Sequence, residues 1–272
     1  PVFVDIEHDT CNIDPFKIEQ SITNKTTAIL PVHVYGNPCN HKEINKIAKK
    51  HNLKVIYDAA HAFHVKEKGK SILNYGDLSV LSFHATKVFN TFEGGAIISH
   101  SAKMKKKIDQ LKNFGFQNEF TVEGLGINGK MNELQAAMGL LQLDNFENII
   151  NKRKSVAKKY YDNFKYINGI RLLKQEKDIV YNYSYFPIFI NKKKYGISCS
   201  QLYEKLKKHN IYARRYFYPL ISSYSEYKDL SSSNNLDIAE ELSKDVLCLP
   251  IYPSLKDSDL DLIINLIIKY NV

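Results

Sequence analysis

The feature that most constrains the fold is a regular alternation of short apolar runs and amphipathic segments over the first 100 residues. The apolar runs predict strands at residues 2–6, 28–34, 54–57, 78–83 and 95–99, and helical spacing predicts helices at residues 15–21 and 42–51. These strands are apolar on both faces. Because strands buried on both faces are typical of parallel sheets covered by helices, the alternation predicts an α/β fold with a mostly parallel sheet.

The second half of the chain has a different pattern. A long helical pattern, continuous or bent, runs from about residue 131 to residue 164. Beyond it, shorter strands and helices are predicted at residues 185–190, 200–209, 246–250 and 257–270. We therefore predict two domains: a large domain over residues 1–165 that ends in the long helix, and a small α+β domain over residues 166–272.

Composition excludes several classes of protein. With 44% hydrophobic and 25% charged residues, the chain is globular rather than collagen-like or disordered. We expect neither a membrane span, which needs about 18 consecutive apolar residues, nor a signal peptide. The four cysteines form neither a C-x-x-C pair nor a disulfide framework. We therefore expect reduced thiols and a cytoplasmic protein.

The net charge of +9 comes from lysine, since only four of the 38 basic residues are arginines. Nucleic-acid-binding surfaces more often cluster arginine among aromatic residues. Here the lysines are spread along helical faces, as in residues 42–50 and 103–107. This distribution favours a solvated surface, or a patch that attracts anionic ligands, over a nucleic-acid interface.

An acidic residue follows one predicted strand, within residues 57–63. Ligands of open α/β sheets lie at the carboxyl ends of strands, which makes Asp58 a candidate binding residue. The alternative is that Asp58 caps the next turn through backbone amides. His61 and His64 lie three residues apart, but no further ligands stand at suitable spacing, so we predict no metal site.

A lysine in apolar surroundings follows a later strand. Lys87 lies between apolar residues and the paired glycines Gly94 and Gly95. Such surroundings disfavour the ammonium form and free an amine for Schiff-base chemistry, although lysines that extend out of apolar loops are common. Together, Asp58, Ser82 and Lys87 match the needs of pyridoxal phosphate: an amine for its aldehyde, an acid for its pyridine nitrogen and a hydroxyl for its phosphate.

These motifs, in this order, resemble the sugar aminotransferases of the DegT/DnrJ/EryC1/StrS family. The resemblance covers essentially the whole chain and is carried by residues 1–6, 12–15, 30–36, 58–61, 82–95, 129–137 and 249–255. It implies the type I pyridoxal-phosphate transferase fold, with pyridoxal 5'-phosphate as cofactor. Family members normally carry roughly a hundred further residues before the first motif, so we expect an N-terminally truncated chain with an incomplete large domain.

The resemblance assigns the cofactor-binding residues one by one. Lys87 matches the Schiff-base lysine, which would also move the proton between the donor carbon and the cofactor. Asp58 matches the partner of the pyridine nitrogen, Ser82 matches a phosphate ligand, and His61 stands where many members have a glutamine beside the ring. Asn128 matches an asparagine that reaches the phosphate of the neighbouring subunit, which implies a homodimer with shared active sites.

Further residues match positions near the substrate. By resemblance His84 lines the sugar pocket; the alternative is a packed loop histidine. Residues 213–219, which include Tyr216, resemble the stretch that approaches the nucleotide-sugar. Arg214 or Arg215 would contact its diphosphate there, and simple surface exposure explains either arginine equally well.

The form of residues 83–95 is most similar to enzymes that aminate C4 of dTDP-4-keto-6-deoxyglucose, with glutamate as the expected donor and lipopolysaccharide or antibiotic sugars as the destination. Amination at C3 is the alternative, although C3 enzymes usually show a different run around the lysine. The family's dehydratases have histidine in place of Lys87, which argues against dehydration. A truncated, non-catalytic remnant is the alternative from another class of protein.

Overall fold

The strands and helices follow the alternation in the sequence. The computed structural model describes residues 1–271, and that range contains twelve strands and nine α-helices. The strands are β1 (Ala28–Ile29), β2 (Lys54–Asp58), β3 (Lys66–Glu67), β4 (Lys70–Ser71), β5 (Leu78–Ser82), β6 (Gly95–Ser99), β7 (Phe116–Asn118), β8 (Thr121–Val122), β9 (Ile170–Leu172), β10 (Ile179–Val180), β11 (Phe186–Ile190) and β12 (Val246–Leu249). The α-helices are α1 (Pro15–Ser21), α2 (His41–Lys50), α3 (Ala102–Leu111), α4 (Glu133–Asp144), α5 (Phe146–Phe164), α6 (Lys192–Tyr195), α7 (Cys199–Lys207), α8 (Asp237–Asp245) and α9 (Asp257–Lys269). Short 3₁₀ turns occupy Val34–Gly36, Ile72–Asn74, Ile221–Ser223 and Ser231–Asn234.

The central sheet has the strand order β1-β2-β5-β6. Strands β1, β2 and β5 are parallel, and β6 pairs antiparallel with β5. The prediction of an α/β fold with a mostly parallel sheet is confirmed. Because β2 and β5 are parallel neighbours, with Asp58 opposite Val80, their carboxyl ends lie at the same edge of the sheet.

Helix α2 shows how the sequence covers this sheet. Its apolar residues recur at the three- and four-residue spacing of one helical face, and Ile44, Ile47 and Ala48 are buried. They pack in one cluster with Val55 of β2. Asn40 caps the start of this helix. Its side chain accepts a hydrogen bond from an amide of the first turn and so stabilises the helix there.

A second sheet forms the core of the C-terminal part. Its order is β12-β11-β9, entirely antiparallel, and every residue of β11 is buried. Helices α5, α7 and α9 cover it. Phe164, Ile188 and Leu202 are fully buried in the apolar cluster between these helices and the sheet, called the C-terminal cluster below. Contacts also cross residue 165, because β10 pairs with β3. The division into domains at residues 165 and 166 stays a prediction.

Three predicted elements differ from the structure. Residues 2–6 are not a strand: only Ile6 makes an isolated bridge, to Ile13, because no neighbouring strand lies beside this run within residues 1–271. The predicted strand at 28–34 is limited to β1, since the chain turns into a 3₁₀ helix after it. The long helix is two helices that meet at Asn145, which ends α4 and begins α5.

Residues 102–145 are packed differently from the rest. Helix α3 has no buried residue, and α4 buries only Gly139. Large apolar side chains of the β7–β8 region and of α4 are exposed instead. No helix within residues 1–271 is both long and apolar enough to cross a bilayer.

Candidate active site

The site is built on the carboxyl ends of β2 and β5. Asp58 ends β2, and its backbone amide and carbonyl are hydrogen-bonded to Pro31 at 2.9 Å and to His33 at 3.0 Å. One carboxylate oxygen of Asp58 accepts a hydrogen bond from the amide of Ala60 at 3.0 Å, so the turn-capping interpretation holds. The other oxygen has no hydrogen bond within residues 1–271 and is available to a ligand. Ser82 ends β5 at the same edge.

Lys87 lies in the loop that follows β5. Its backbone amide donates to the carbonyl of His84 at 2.9 Å, which closes a turn and directs the side chain inward, where it is half-buried. Burial lowers the pKa of Lys87, and the nearby charge of Asp58 opposes that shift without cancelling it. In the part of the chain that the structure describes, Nζ makes no hydrogen bond or ion pair. Lys87 therefore presents an unpaired amine that loses its proton more readily than an exposed lysine does.

The paired glycines close the Lys87 loop against the sheet. The amide of Thr91 donates to the carbonyl of Phe83 at 2.9 Å. Gly94 has φ +136°, and a Cβ there would lie 2.8 Å from Oγ1 of Thr91. A Cβ on Gly95 would lie 2.6 Å from the carbonyl oxygen of Leu81. Side chains at these two positions would push the loop away from the sheet.

His61 is a buried, neutral imidazole. The amide of Tyr35 donates to its Nδ1 at 3.2 Å, which assigns the proton of the neutral ring to Nε2. The ring is parallel to Phe217 at a centroid distance of 5.5 Å and meets the edge of Tyr185 at 4.8 Å. Burial lowers the pKa of His61 to about 3, with a further contribution from the charge of Lys87. His61 therefore carries no charge, and its Nε2–H is the ring's one hydrogen-bond donor.

The two consecutive arginines differ in what their side chains contact. Arg215 donates to Oγ of Ser200 at 3.2 Å and to the carbonyl of Lys244 at 3.1 Å, so its guanidinium is occupied by the fold. Arg214 is exposed and is held through its backbone, which pairs with Cys248. Its side chain makes no hydrogen bond or ion pair within residues 1–271. Of the two, Arg214 is the one available to an anionic ligand.

His84 and Tyr216 lie at the outer side of the site. His84 is exposed, with Nε2 3.6 Å from a carboxylate oxygen of Glu93, so its ring is not packed into the core. Tyr216 is half-buried, and its ring meets the edge of Tyr185 at 5.5 Å. Its carbonyl accepts the hydroxyl of Tyr35, which ties the segment that carries Arg214 to the neighbourhood of His61.

Asn128 lies apart from these residues. It is exposed and forms an isolated bridge with Asn113, beside the β7–β8 hairpin. No hydrogen bond within residues 1–271 joins its side chain to Asp58, Ser82 or Lys87. Its assignment to the active site of a neighbouring subunit stays a prediction.

Sequence reasoning did not single out four residues that surround His61: Tyr35, Asn182, Tyr185 and Phe217. Tyr35 has a local signal, because it stands before a glycine and adopts a left-handed φ of +58°. The other three have none, since they reach His61 from more than a hundred positions away in the sequence.

The residues present fit pyridoxal phosphate. Lys87 and Asp58 lie close enough for their charges to act on each other at one edge of a parallel sheet, where Ser82 also lies, and neutral His61 is within reach of the charge of Lys87. An amine for the aldehyde, an acid for the ring nitrogen and a hydroxyl for the phosphate are the groups that this cofactor needs. Fold and site together define a pyridoxal-phosphate-dependent transferase of the type I fold.

Comparison with known proteins identifies the family. The model of the DegT/DnrJ/EryC1/StrS aminotransferase family matches residues 1–268, and the chain belongs to this family, whose members depend on pyridoxal phosphate. The chain is 48% identical over 267 residues to a dTDP-4-amino-4,6-dideoxy-D-glucose transaminase of Shigella dysenteriae, covering 98% of this chain and 72% of that protein. It is 31% identical over 275 residues to a dTDP-3-amino-3,6-dideoxy-alpha-D-galactopyranose transaminase of Aneurinibacillus thermoaerophilus, covering 99% and 72% of the two chains.

A solved structure confirms the predicted type I fold. DesI in the presence of its TDP-sugar product superposes with a TM-score of 0.93 at 33% identity, covering 99% of this chain and 68% of that one.

Proposed function

We propose that this aminotransferase moves an amino group from an amino acid, with glutamate as the expected donor, to C4 of dTDP-4-keto-6-deoxyglucose. The observation that carries the proposal is the unpaired, half-buried amine of Lys87, which lies within reach of the charge of Asp58 and near the neutral imidazole of His61. The choice of C4 over C3 is supported by the greater similarity to the C4 transaminase, at 48% against 31% identity.

In this proposal each site residue has a separate task. Bound pyridoxal phosphate supplies an electron sink that stabilises negative charge on the carbon beside the transferred nitrogen. Lys87 would hold the cofactor through Nζ and would carry a proton to or from that carbon. A lysine with a lowered pKa suits this task, because a general base works best when its pKa lies near the operating pH.

Three groups orient the cofactor in the proposal. The free carboxylate oxygen of Asp58 would accept a hydrogen bond from the protonated pyridine nitrogen. Ser82 accepts the amide of His84 at 3.3 Å, and its own hydroxyl proton remains available for a phosphate oxygen. Neutral His61 would donate a hydrogen bond from Nε2 to the cofactor, and it adds no positive charge beside the amine of Lys87.

The substrate is held from the other side of the site. Arg214 has a guanidinium without internal partners, which suits bidentate contacts to a diphosphate. Tyr216 and His84 are partly or fully exposed at the outer side and would contact the sugar.

We further propose a homodimer with shared active sites. The support is the apolar surface of residues 102–145, which includes the leucines of α4 and surrounds the hairpin beside Asn128. A second copy that covers this surface would bring Asn128 of one chain toward the cofactor phosphate of the other. Contiguous apolar surfaces of this kind mark protein interfaces.

A cytoplasmic location and a role in surface polysaccharides such as lipopolysaccharide complete the proposal. The location is supported by four free cysteines, because disulfides form in oxidising compartments. The role is supported by the product's chemistry, since an amino sugar on a nucleoside diphosphate is an activated donor for glycosyl transfer.

Mass spectrometry of the reaction products tests the function. The chain, pyridoxal phosphate and glutamate are incubated with dTDP-4-keto-6-deoxyglucose or, in parallel, with its 3-keto isomer. We expect the 4-keto sugar to gain an amine, the Lys87→Ala variant to be inactive, and Lys207→Ala, a change at an exposed lysine of α7, to behave as wild type. Amination of the 3-keto isomer alone would reassign the position, and loss of water would reassign the reaction. The non-catalytic alternative is not favoured, since the similarity extends over 98% of this chain, and the absence of any product would restore it.

A further inference from the structure

Asn182 is a buried asparagine that joins two distant parts of the chain. Only 1% of it is exposed. Its Nδ2 donates to the carbonyl of His61 at 2.7 Å and to the carbonyl of Phe63 at 2.8 Å. Its Oδ1 accepts the amide of Ser184 at 3.1 Å. Asn182, four residues before the start of β11, thus holds the main chain of the loop that follows β2.

These contacts require an amide in one orientation. Two carbonyl oxygens face one end of the Asn182 side chain, and a backbone N–H faces the other. An isosteric aspartate would direct a carboxylate oxygen at both carbonyls, so the carbonyl of Phe63 would lose its donor and the carbonyl of His61 would keep only the hydroxyl of Ser184. Buried carbonyls that lose their donors destabilise the local structure, so the loop would move to regain partners.

The neighbours of Asn182 are held equally closely. Arg153, itself buried, donates to the carbonyl of Tyr183 at 3.1 Å. The hydroxyl of Ser184 lies 3.0 Å from the carbonyl of His61. A Cβ on Gly36 would lie 2.8 Å from both Oδ1 of Asn182 and the carbonyl of His61. The side chain of Asn182 is therefore enclosed by neighbours that are themselves held in place. We call this set of contacts the Asn182 clamp.

His61 is consequently fixed at two points. The amide of Tyr35 holds its ring through Nδ1, and Asn182 holds its carbonyl. We propose that Asn182 is a positioning residue for the cofactor, which acts by fixing the main chain of His61 so that the imidazole keeps its place beside Lys87. This inference rests on the cofactor site of the proposed function.

A purely structural role for Asn182 makes a different prediction. Loss of a structural hydrogen bond lowers the stability of the fold and leaves cofactor affinity unchanged. Tyr195 provides the matched control, because its buried hydroxyl donates to the carbonyl of Ile267 at 2.5 Å within the C-terminal cluster. Tyr195→Phe removes a buried donor from a carbonyl, as Asn182→Asp does, at a place remote from His61.

The experiment measures the dissociation constant of pyridoxal phosphate by absorbance titration. The variants are Asn182→Asp, Tyr195→Phe, His61→Ala and the double variant of His61 and Asn182. We expect Asn182→Asp to weaken cofactor binding about tenfold, Tyr195→Phe to leave it unchanged, and the effect of Asn182→Asp to vanish in the His61→Ala background, since coupled residues are not additive. Hydrogen exchange at the amides of Ala62 and Val65 should quicken in Asn182→Asp only.

Each other outcome overturns a defined claim. If wild type binds the cofactor at Lys87 and Asn182→Asp binds it equally well, the positioning role is wrong and the proposed function stands. If Asn182→Asp weakens binding as much without His61 as with it, the residue does not act through His61. If Asn182→Asp does not fold, Ser184→Ala replaces it, with a few-fold loss of affinity expected and no loss contradicting the role. A wild-type chain that forms no bond to the cofactor at Lys87 overturns both proposals.

Discussion

The surroundings of His61 and the segment 102–145 are built in opposite ways. His61 is held by an amide on its ring, an asparagine on its carbonyl and two aromatic rings, all from the same chain. In the segment 102–145, by contrast, Phe120 and Leu125 are 92% exposed and Leu134 is 83% exposed. The first region is determined by contacts within the chain. The second exposes several large apolar side chains that no contact within the chain covers, and so is suited to contacts outside the chain.

The largest expected effect is on the stability of the C-terminal cluster, which, like the surroundings of His61, is packed by contacts within the chain. Phe164→Ala, at the fully buried end of α5, should lower the free energy of unfolding by about 3–5 kcal/mol, since it leaves a cavity in the C-terminal cluster. Phe16→Ala is the control, because Phe16 is an exposed side chain on α1 and its loss should change stability by less than about 0.5 kcal/mol. Urea titration measures both, and equal losses would contradict the assignment of the core.

The next effect concerns a buried carboxylate that joins the first residues to the C-terminal part. Asp5 accepts the amides of Ile238 and Ala239, at the start of α8, and the ammonium of Lys17 at 2.8 Å. Burial opposes ionisation, but these donors outweigh it and lower the pKa of Asp5. Asp5→Asn should lower stability by about 1.5–3 kcal/mol at neutral pH.

This contribution depends on pH in a defined direction. Because the folded pKa of Asp5 lies below the unfolded value of about 3.9, the stabilisation is fully present above that pH and is lost as the pH falls through the folded value. The difference between wild type and Asp5→Asn should therefore shrink below about pH 4. Asp9→Asn, at an exposed aspartate, is the control, and a difference that grows in acid would refute the assignment.

A smaller effect is expected in the segment 102–145, and on association rather than on the fold. Replacing Leu140 and Leu141 of α4 by aspartate should raise the dimer dissociation constant roughly tenfold or more, since each leucine loses its apolar burial. Sedimentation velocity measures it. Leu262→Asp, at an exposed leucine of α9, should not change association. A wild type that stays monomeric at high concentration would remove the contrast between the two regions.

The smallest effect concerns the imidazole of His61, which we expect not to titrate in the folded state. His61, with a pKa of about 3, should keep its ¹⁵N imidazole shifts between pH 5 and pH 8, whereas in denaturant it should titrate near 6.5. Since only the unfolded state takes up this proton, His61 lowers folding stability progressively as the pH falls below about 6.5. A folded-state titration near neutral pH would show that the imidazole is not closed off from water.

Local signals were sufficient for the framework of the fold. Helix α1 and strand β6 have the predicted bounds, and β2 and β5 end within one residue of them, because their apolar spacing and flanking turns are local. The strand predicted at residues 2–6 is wrong, since a strand needs a neighbouring strand to pair with and an apolar pattern does not show whether one is present. The long helical pattern was predicted as continuous or bent, and the structure divides it at Asn145, a position that the helical spacing alone does not mark.

The residues of the site that follow strands were predictable, and those that come from distant parts of the sequence were not. Asp58, Ser82 and Lys87 follow strands, so their meeting at one sheet edge follows from the topology of a parallel sheet. The clamp by Asn182 spans 121 residues to His61 and leaves no local pattern. Nor does the sequence distinguish Arg214 from Arg215, because the difference lies in what the second one contacts.

The proposed role of Lys87 as the residue that carries the cofactor can be tested directly. Purified chain is mixed with pyridoxal phosphate, its visible spectrum is recorded, and borohydride reduction is followed by peptide mass mapping. We expect a single reduced adduct on Lys87, which Lys87→Ala abolishes. Label spread over surface lysines, or its persistence in Lys87→Ala, would contradict it.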